Sequence, residues 1–344
     1  RGLGDVYKRQ EKQLIFIIMV VVGVMSGFLS NTGTAAVLIP VVIGVAAKSG
    51  FTRSRLLMPL VFAAALGGNL SLIGAPGNLI AQSALQNIGS GFGFFEYAKV
   101  GLPMLVCGIL YFLTIGYKFL PNNSNSSEVG SIGEQRDYSH VPRWKQILSL
   151  VVLIATILGM IFEKQTGISL TVAGCIGALV LVITGVLTEK QAYKAIDSQT
   201  IFIFGGTLAL AKALEMTGAG KLVADQVIGL LGNNSSPFML LVVVFALSVV
   251  MTNFMSNTAT VALLVPVSLS IAAGMGADPR AVLMATVIGS SCAYATPIGM
   301  PANMMVLSAG GYKFVDYAKS GIPLIIVSTI VSLILLPILF PFHP

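Results

Sequence analysis

Residues 254–266 read FMSNTATVALLVP, and residues 28–40 read FLSNTGTAAVLIP. Eight of the thirteen positions are identical, and the other five exchange small or aliphatic side chains. Each stretch lies inside a long run without a charged residue, 237–277 and 13–47. Hydroxyl and amide groups are costly to bury unless something bonds them. A Ser-Asn-Thr trio that recurs 226 residues later in such a setting reads as a device.

The bulk composition assigns that setting to a membrane. Hydrophobic residues make up 55% of the 344-residue chain, charged residues 10%, and the mean hydropathy is +0.89. A soluble domain carries about 25% charged residues. Uncharged runs also cover 56–95 and 281–312, and all four runs exceed the roughly 20 residues that span a bilayer. The net charge of +7 reads as the Lys/Arg excess of cytoplasmic loops, not as a nucleic-acid surface. Cys107, Cys175 and Cys292 lie in apolar segments without metal or disulfide spacing and read as packing residues. His140 falls in a polar loop and His343 at the C-terminal tail, so no buried His cluster is expected. No Ser-His, paired-Asp or HExxH arrangement points to an enzyme. Gly23 and Gly27 form a GxxxG read as close helix packing, and Trp144, between Arg143 and Lys145, reads as an interface anchor.

The repeat extends beyond the trio. LIGAPGNLI from Leu72 matches PIGMPANMM from Pro297, aligning Gly74 with Gly299, Pro76 with Pro301 and Asn78 with Asn303. YAKVGLP from Tyr97 matches YAKSGIP from Tyr317. The predicted organisation is a non-native or disordered segment 1–12, a first repeat 13–119, a cytoplasmic linker 120–145 and a second repeat 146–344. The first repeat comprises a hairpin 13–47, a broken helix 56–88 and a helix 98–119. The second comprises helices 146–162, 169–187 and 199–214, an interfacial stretch 215–231, a hairpin 237–275, a broken helix 281–309 and a helix 321–341. If the two units were once equal, roughly ninety residues are missing from the first, so an N-terminal truncation is expected.

A single straight helix over 13–47 would measure about 50 Å at 1.5 Å per residue, against a hydrocarbon core of about 30 Å. Two arms of roughly 15 residues, about 23 Å each, would instead form a re-entrant hairpin with the trio at its tip. Hairpins put 15 of the 20 Lys/Arg residues on one side, among them Lys8, Arg9, Lys12, Arg55 and Lys118, whereas single spans divide them evenly. The positive-inside rule favours the hairpins and gives the two halves opposite topology. The expected fold is all-α and polytopic, an inverted-topology repeat with two re-entrant hairpins and two broken helices, the plan of secondary transporters. Broken helices free backbone carbonyls and amides, which a cation and an anion can satisfy. Hydroxyl, amide and carbonyl oxygens suit a hard cation such as Na⁺. The trio and broken-helix segments hold no Asp, Glu or His, which argues against a proton relay.

On the paired SNT trios, the Gly/Pro-broken helices with P-x-N and the stretch GGYKFVDYAKSGIP, the chain resembles the divalent anion/sodium symporter family (SLC13-type permeases) over about 13–119 and 143–341. The resemblance implies sodium-coupled transport of a small divalent anion, a di- or tricarboxylate or sulfate-like ion, by a homodimer working through an elevator motion in the inner membrane. It implies a first sodium site from Ser26, Ser30, Asn31 and carbonyls near Gly74, and a second from Thr252, Met255, Asn257 and carbonyls near Gly299. It implies substrate contacts from Asn31, Thr32, Asn257 and Thr258, with Ala75-Pro76 and Met300-Pro301 at the broken-helix tips. Dicarboxylate members tend to carry Ser or Thr where Ala75 and Met300 stand, so a C4 dicarboxylate is placed in doubt. The alternatives are an arsenite or Na⁺/H⁺-type permease, or a sodium-independent anion exchanger.

Overall fold

In the computed structural model the described residues are 2–123, 141–196, 198–219 and 236–341, with 222, 225, 226 and 229. All regular structure among them is helical. Helix α1 (Gly2–Ser26) stops at Gly27, and α2 (Asn31–Ser49) begins after Ser30. Ser30 has extended backbone, and its hydroxyl accepts from Gly33 N at 3.1 Å, so the first residue of the trio is a helix cap. Helix α2 carries Pro40 internally and ends at Gly50, whose φ of 73° is the left-handed geometry that suits glycine. Helix α3 (Arg53–Gly67) is buried on all sides from Leu56 onward, and α1 and α2 both pack along it. A Cβ on Gly67 would collide with Gly23 O, so α1 and α3 meet backbone to backbone, and the Gly23/Gly27 pair serves a contact within the chain. An unwound stretch leads to α4 (Pro76–Gln86), whose first-turn proline needs no amide partner. Helix α5 (Ala98–Leu113) follows and ends in a 3₁₀ turn, Gly116–Lys118.

Residues 133–202 form a separate compact unit. Within it α6 (Arg143–Ile161), α7 (Glu163–Thr166), α8 (Leu170–Ile183) and α9 (Glu189–Ala195) succeed one another, and α6 packs on α8. Ser169 caps α8, and Thr188 with Gln191 forms a capping box on α9. Trp144 is exposed at the start of α6, with Lys145 Nζ 5.4 Å from its ring. Helix α10 (Ser198–Thr217) follows. Most of the interfacial stretch expected over 215–231, part of the linker, and both histidines lie outside the described residues.

The remaining elements repeat the first five. Helices α11 (Pro237–Thr252) and α12 (Asn257–Met275) flank the second trio, with Ser256 capping Ala259 N at 3.2 Å. Helix α12 also carries an internal proline, Pro266, and ends on a left-handed glycine, Gly276 at φ 63°. Helix α13 (Pro279–Ser290) is buried throughout 281–290 and carries α11 and α12 against it. After an unwound stretch come α14 (Pro301–Ala309) and α15 (Phe314–Leu339), and α15 packs on α5. Helices α2, α6, α12 and α15 are long and apolar enough to cross a membrane.

Two boundaries differ from the sequence reading. Helix α1 begins at Gly2, so residues 2–12 are helical rather than disordered, which bears only on the second half of the expectation that they are non-native or disordered, and Glu11 is pinned by Arg55 Nε at 2.6 Å. The arms around the trios span 25, 19, 16 and 19 residues rather than about 15. Charge marks where a helix leaves lipid, not where it ends, and that is why the uncharged runs understated the first arm.

Candidate functional site

Each trio sits beside a hydroxyl that closes the preceding helix. Ser26 Oγ lies 2.8 Å from Asn31 Oδ1 and 2.7 Å from Ala64 O. In the second half Thr252 Oγ1 lies 3.0 Å from Asn257 Oδ1 and donates to Ser290 O. All three positions recur at the same offset of 226, Ser26 with Thr252, Asn31 with Asn257 and Ala64 with Ser290. A hydroxyl has one hydrogen to give, so in each tip it meets two oxygens and can satisfy one. The crowding is greater at Asn257, whose amide end is also 3.0 Å from Gly299 O and 3.3 Å from Ser290 O. With its nitrogen turned inward, the Asn257 amide donates to these carbonyls. With its oxygen inward, four oxygens from Asn257, Thr252, Ser290 and Gly299 converge, which is a set of hard ligands for a cation. Close approach to the first tip requires glycine, because a Cβ on Gly68 would collide with the Asn31 amide.

The broken helices are held by two asparagines. Asn78 Nδ2 donates to Gly68 O at 3.0 Å and Ser71 O at 2.8 Å; Asn303 Nδ2 donates to Ala293 O at 2.9 Å and Thr296 O at 3.0 Å. Each amide thereby takes up two carbonyls that the unwinding released. Ser71 donates to Gly27 O and Thr296 to Asn253 O, fastening each unwound stretch to the turn before its trio. Tyr97 OH donates to Asn78 O and Tyr317 OH to Asn303 O. Among the described residues, the buried side-chain oxygens without a partner include two matched pairs: Asn78 Oδ1 with Asn303 Oδ1, and Thr34 Oγ1 with Thr260 Oγ1.

The halves are cross-packed. Helix α14 of the second half lies on α2 and α3, and α4 of the first half lies on α12. Asn31 Nδ2 is 3.8 Å from Met300 Sδ, and a Cβ on Gly77 would come 2.9 Å from Val261 Cγ2. Ser291 Oγ donates to Asn69 Oδ1 at 2.8 Å, joining the two unwound stretches. Helix N-termini therefore meet in pairs, α2 with α14 and α12 with α4. Each end presents amides and the positive end of a helix dipole. Ala75 and Met300 cap α4 and α14 without a side-chain acceptor.

The sequence-derived candidates divide into two groups. Ser26, Asn31, Thr252, Asn257 and Gly299 come together as described. Gly74 and Gly299 are points of close backbone approach, where a Cβ would stand 2.5 Å from Gly68 O and 2.6 Å from Thr252 O. Ala75 and Met300 are buried beside Pro76 and Pro301 at the helix starts. Ser30 is an exposed cap bonded to Gly33 N, not to Ser26 or Asn31. Thr32 is exposed, and Thr258 and Met255 are half-buried. Sequence reasoning missed Ala64 and Ser290, which act through main-chain oxygen and carry no side-chain signal, and Gly68, which was one of many glycines. Asn78 and Asn303 were aligned in the repeat, but without a role. Among the described residues no group of His, Cys, Asp and Glu could hold a metal ion.

The sequence profile described as "Citrate transporter" (CitMHS) matches residues 3–286 and 157–342. The chain belongs to the citrate transporter family. An uncharacterized transporter of Methanocaldococcus jannaschii, MJ0672, is 30% identical over 332 residues, covering 94% of this chain and 73% of the relative. The sodium-dependent dicarboxylate transporter SdcS of Staphylococcus aureus is 24% identical over 363 residues, 96% of this chain and 69% of that one. The crystal structure of the YdaH transporter of Alcanivorax borkumensis matches with a TM-score of 0.64 at 18% identity, covering 97% of this chain and 84% of that one. This citrate transporter family member is thus a transporter rather than an enzyme, an all-α multi-pass protein of the cell membrane within the divalent anion/sodium symporter superfamily.

Proposed function

We propose that the protein is a sodium-coupled carrier of a small di- or tricarboxylate. The observation that carries this reading is the doubled gathering of hydroxyl, amide and carbonyl groups, Ser26–Asn31–Ala64 and Thr252–Asn257–Ser290–Gly299, in which the Asn257 amide closes the second tip with its nitrogen inward and offers a set of oxygens with its oxygen inward. A sodium ion in each tip would be held by these oxygens once the asparagine oxygen turns inward, and the nearby helix N-termini and asparagine amides supply donors to an anion. Cation and anion then support each other without a buried Lys or Arg. Asn31, Thr32, Asn257 and Thr258 are the proposed substrate donors, with Ala75-Pro76 and Met300-Pro301 shaping the floor. The apolar Ala75 and Met300 remove two hydroxyl donors, which favours citrate over a C4 dicarboxylate. The matched tips support an inverted repeat, and the resemblance to the symporter family is what suggests an elevator-type motion in a homodimer.

The test is uptake into proteoliposomes of labelled citrate, succinate and sulfate, with and without a sodium gradient. Sodium-dependent citrate uptake, lost in Asn257→Ala while the helical circular dichroism is kept, is the expected result. Uptake indifferent to sodium would turn the reading to an anion exchanger, and unchanged uptake in Asn257→Ala would sink the site.

A further inference from the structure

The two tips share an asparagine but not its posture. Asn31 turns its oxygen inward: Oδ1 lies 2.8 Å from Ser26 Oγ, and it is the atom that a Cβ on Gly68 would strike first. Its nitrogen points the other way, 3.8 Å from Met300 Sδ. Asn257 is satisfied in the opposite sense. With its nitrogen inward it donates to Gly299 O at 3.0 Å, Thr252 Oγ1 at 3.0 Å and Ser290 O at 3.3 Å. The two ends of an amide exchange places together, so a partner for one end outside the tip decides which end faces in.

That outside partner is where the halves differ. In the repeat Met300 aligns with Ala75. Met300 is buried, and its thioether is a weak acceptor placed within reach of the Asn31 nitrogen. Ala75 is buried too, but its methyl accepts nothing. Asn31 has an alternative posture that the sulfur must outweigh. With its nitrogen inward it would donate to Ser26 Oγ, leaving the Ser26 hydrogen for Ala64 O at 2.7 Å. A hard cation needs the amide oxygen and is repelled by the NH₂ end. We propose that Met300 is a positioning residue for the first ion site: its sulfur holds the Asn31 amide with the oxygen inward, so the first tip stands ready for sodium, while the second, with Ala75 at the matching position, admits it only after Asn257 turns over. This rests on the sodium reading above and gives it an order, the first tip filling before the second. A site that is open for only part of the time binds more weakly by that fraction.

The experiment is thermal-shift titration of the detergent-purified chain with sodium chloride, total salt being kept constant with choline chloride. Thr252→Val leaves the first tip to be read, and Ser26→Ala leaves the second. Half-saturation is expected at lower sodium in Thr252→Val than in Ser26→Ala. Within the Thr252→Val background, Met300→Leu keeps the bulk and loses the acceptor. It should raise the half-saturating sodium about two- to tenfold, the worth of one hydrogen bond. Met300→Gln sets an amide oxygen at similar reach and should bring the value back, which a purely packing role of Met300 would not allow. Ala75→Met in the Ser26→Ala background should lower the value for the second tip, and it keeps the test available if Met300→Leu does not fold. Sodium curves that ignore position 300, or a Met300→Gln no better than Met300→Leu, would overturn the proposal and leave the sodium reading standing. Absence of any sodium-specific shift in the unmodified chain would remove both.

Discussion

A hydroxyl donates once, and at Ser26 and Thr252 that limit carries chemical consequences. Both side chains face two oxygens across a helix break. Thr252→Ser keeps the oxygen and should retain sodium-dependent uptake, whereas Thr252→Val removes it and should raise the half-saturating sodium concentration at least tenfold; equal sodium curves would exclude Thr252 as a ligand. Gly68→Ala tests the same chemistry from the other side. Its methyl would displace the Asn31 amide, so uptake should fall while the purified variant still elutes as a single folded species. The trios, Gly74 and Gly299 were legible in the sequence because side-chain identity and the repeat carry them, the hydroxyls of Ser26 and Thr252 came from the family resemblance, and Gly68 was one glycine among many. Ala64 and Ser290 were not legible, because a carbonyl belongs to every residue and only folding decides which one turns toward a site. The exposed Thr32 looked equivalent to the buried Asn31 in the pattern, and solvent exposure is what separates them, whereas Asn257 and Thr258 are both half-buried.

Among the elements, the broken helices bear the greatest backbone cost and are repaired most thoroughly. Asn303 closes two carbonyls and is itself held by Tyr317, with Asn78 and Tyr97 doing the same in the first half. Leaving buried carbonyls unpaired costs about 1–3 kcal/mol each. Asn303→Leu should therefore lose about 2–5 kcal/mol, read as a lowered thermal midpoint. Tyr317→Phe removes a single bond and should lose about 1 kcal/mol. If Asn303→Leu melted no earlier than Tyr317→Phe, the clamp would not be what holds the loop. Glycine and proline announced the interruptions in the sequence, and the aligned P-x-N placed the asparagines. The direction of their amides depended on an unwound stretch that no periodicity describes. The extent of α1 was likewise hidden, since charged residues can continue a helix beyond lipid.

Across the whole first compact unit, polar contacts gather at two ends. One set joins Glu11 to Arg55 and Tyr117, Tyr312 to Ser54 O, and Ser320 to Phe119 O. The other joins Arg280 to Glu96, stacks Arg280 on Phe92 and Phe340, and ties Gln82 to Phe92. Helices α5 and α15 each begin in one set and end in the other. Helix α3 starts in the first set and α13 in the second, so the two central helices run in opposite senses. That arrangement supports the inverted topology read from the distribution of Lys and Arg. In a background with the native cysteines replaced by serine, Asn122→Cys and Lys99→Cys should label from opposite faces of the membrane. Labelling from the same face would break the topology.

The contact between Asn31 and Met300 spans 269 residues. At about 5–20 residues per second of synthesis, roughly 15–50 s separate the arrival of its two partners. During that interval the first polar tip is in the bilayer without its counterpart. The bonds it can make in the meantime all come from its own half: Ser26 with Ala64 O, Ser71 with Gly27 O, and Asn78 with Gly68 O and Ser71 O. The local repair of each break therefore lets a nascent first half wait in lipid with its opened backbone largely satisfied until the second half is made.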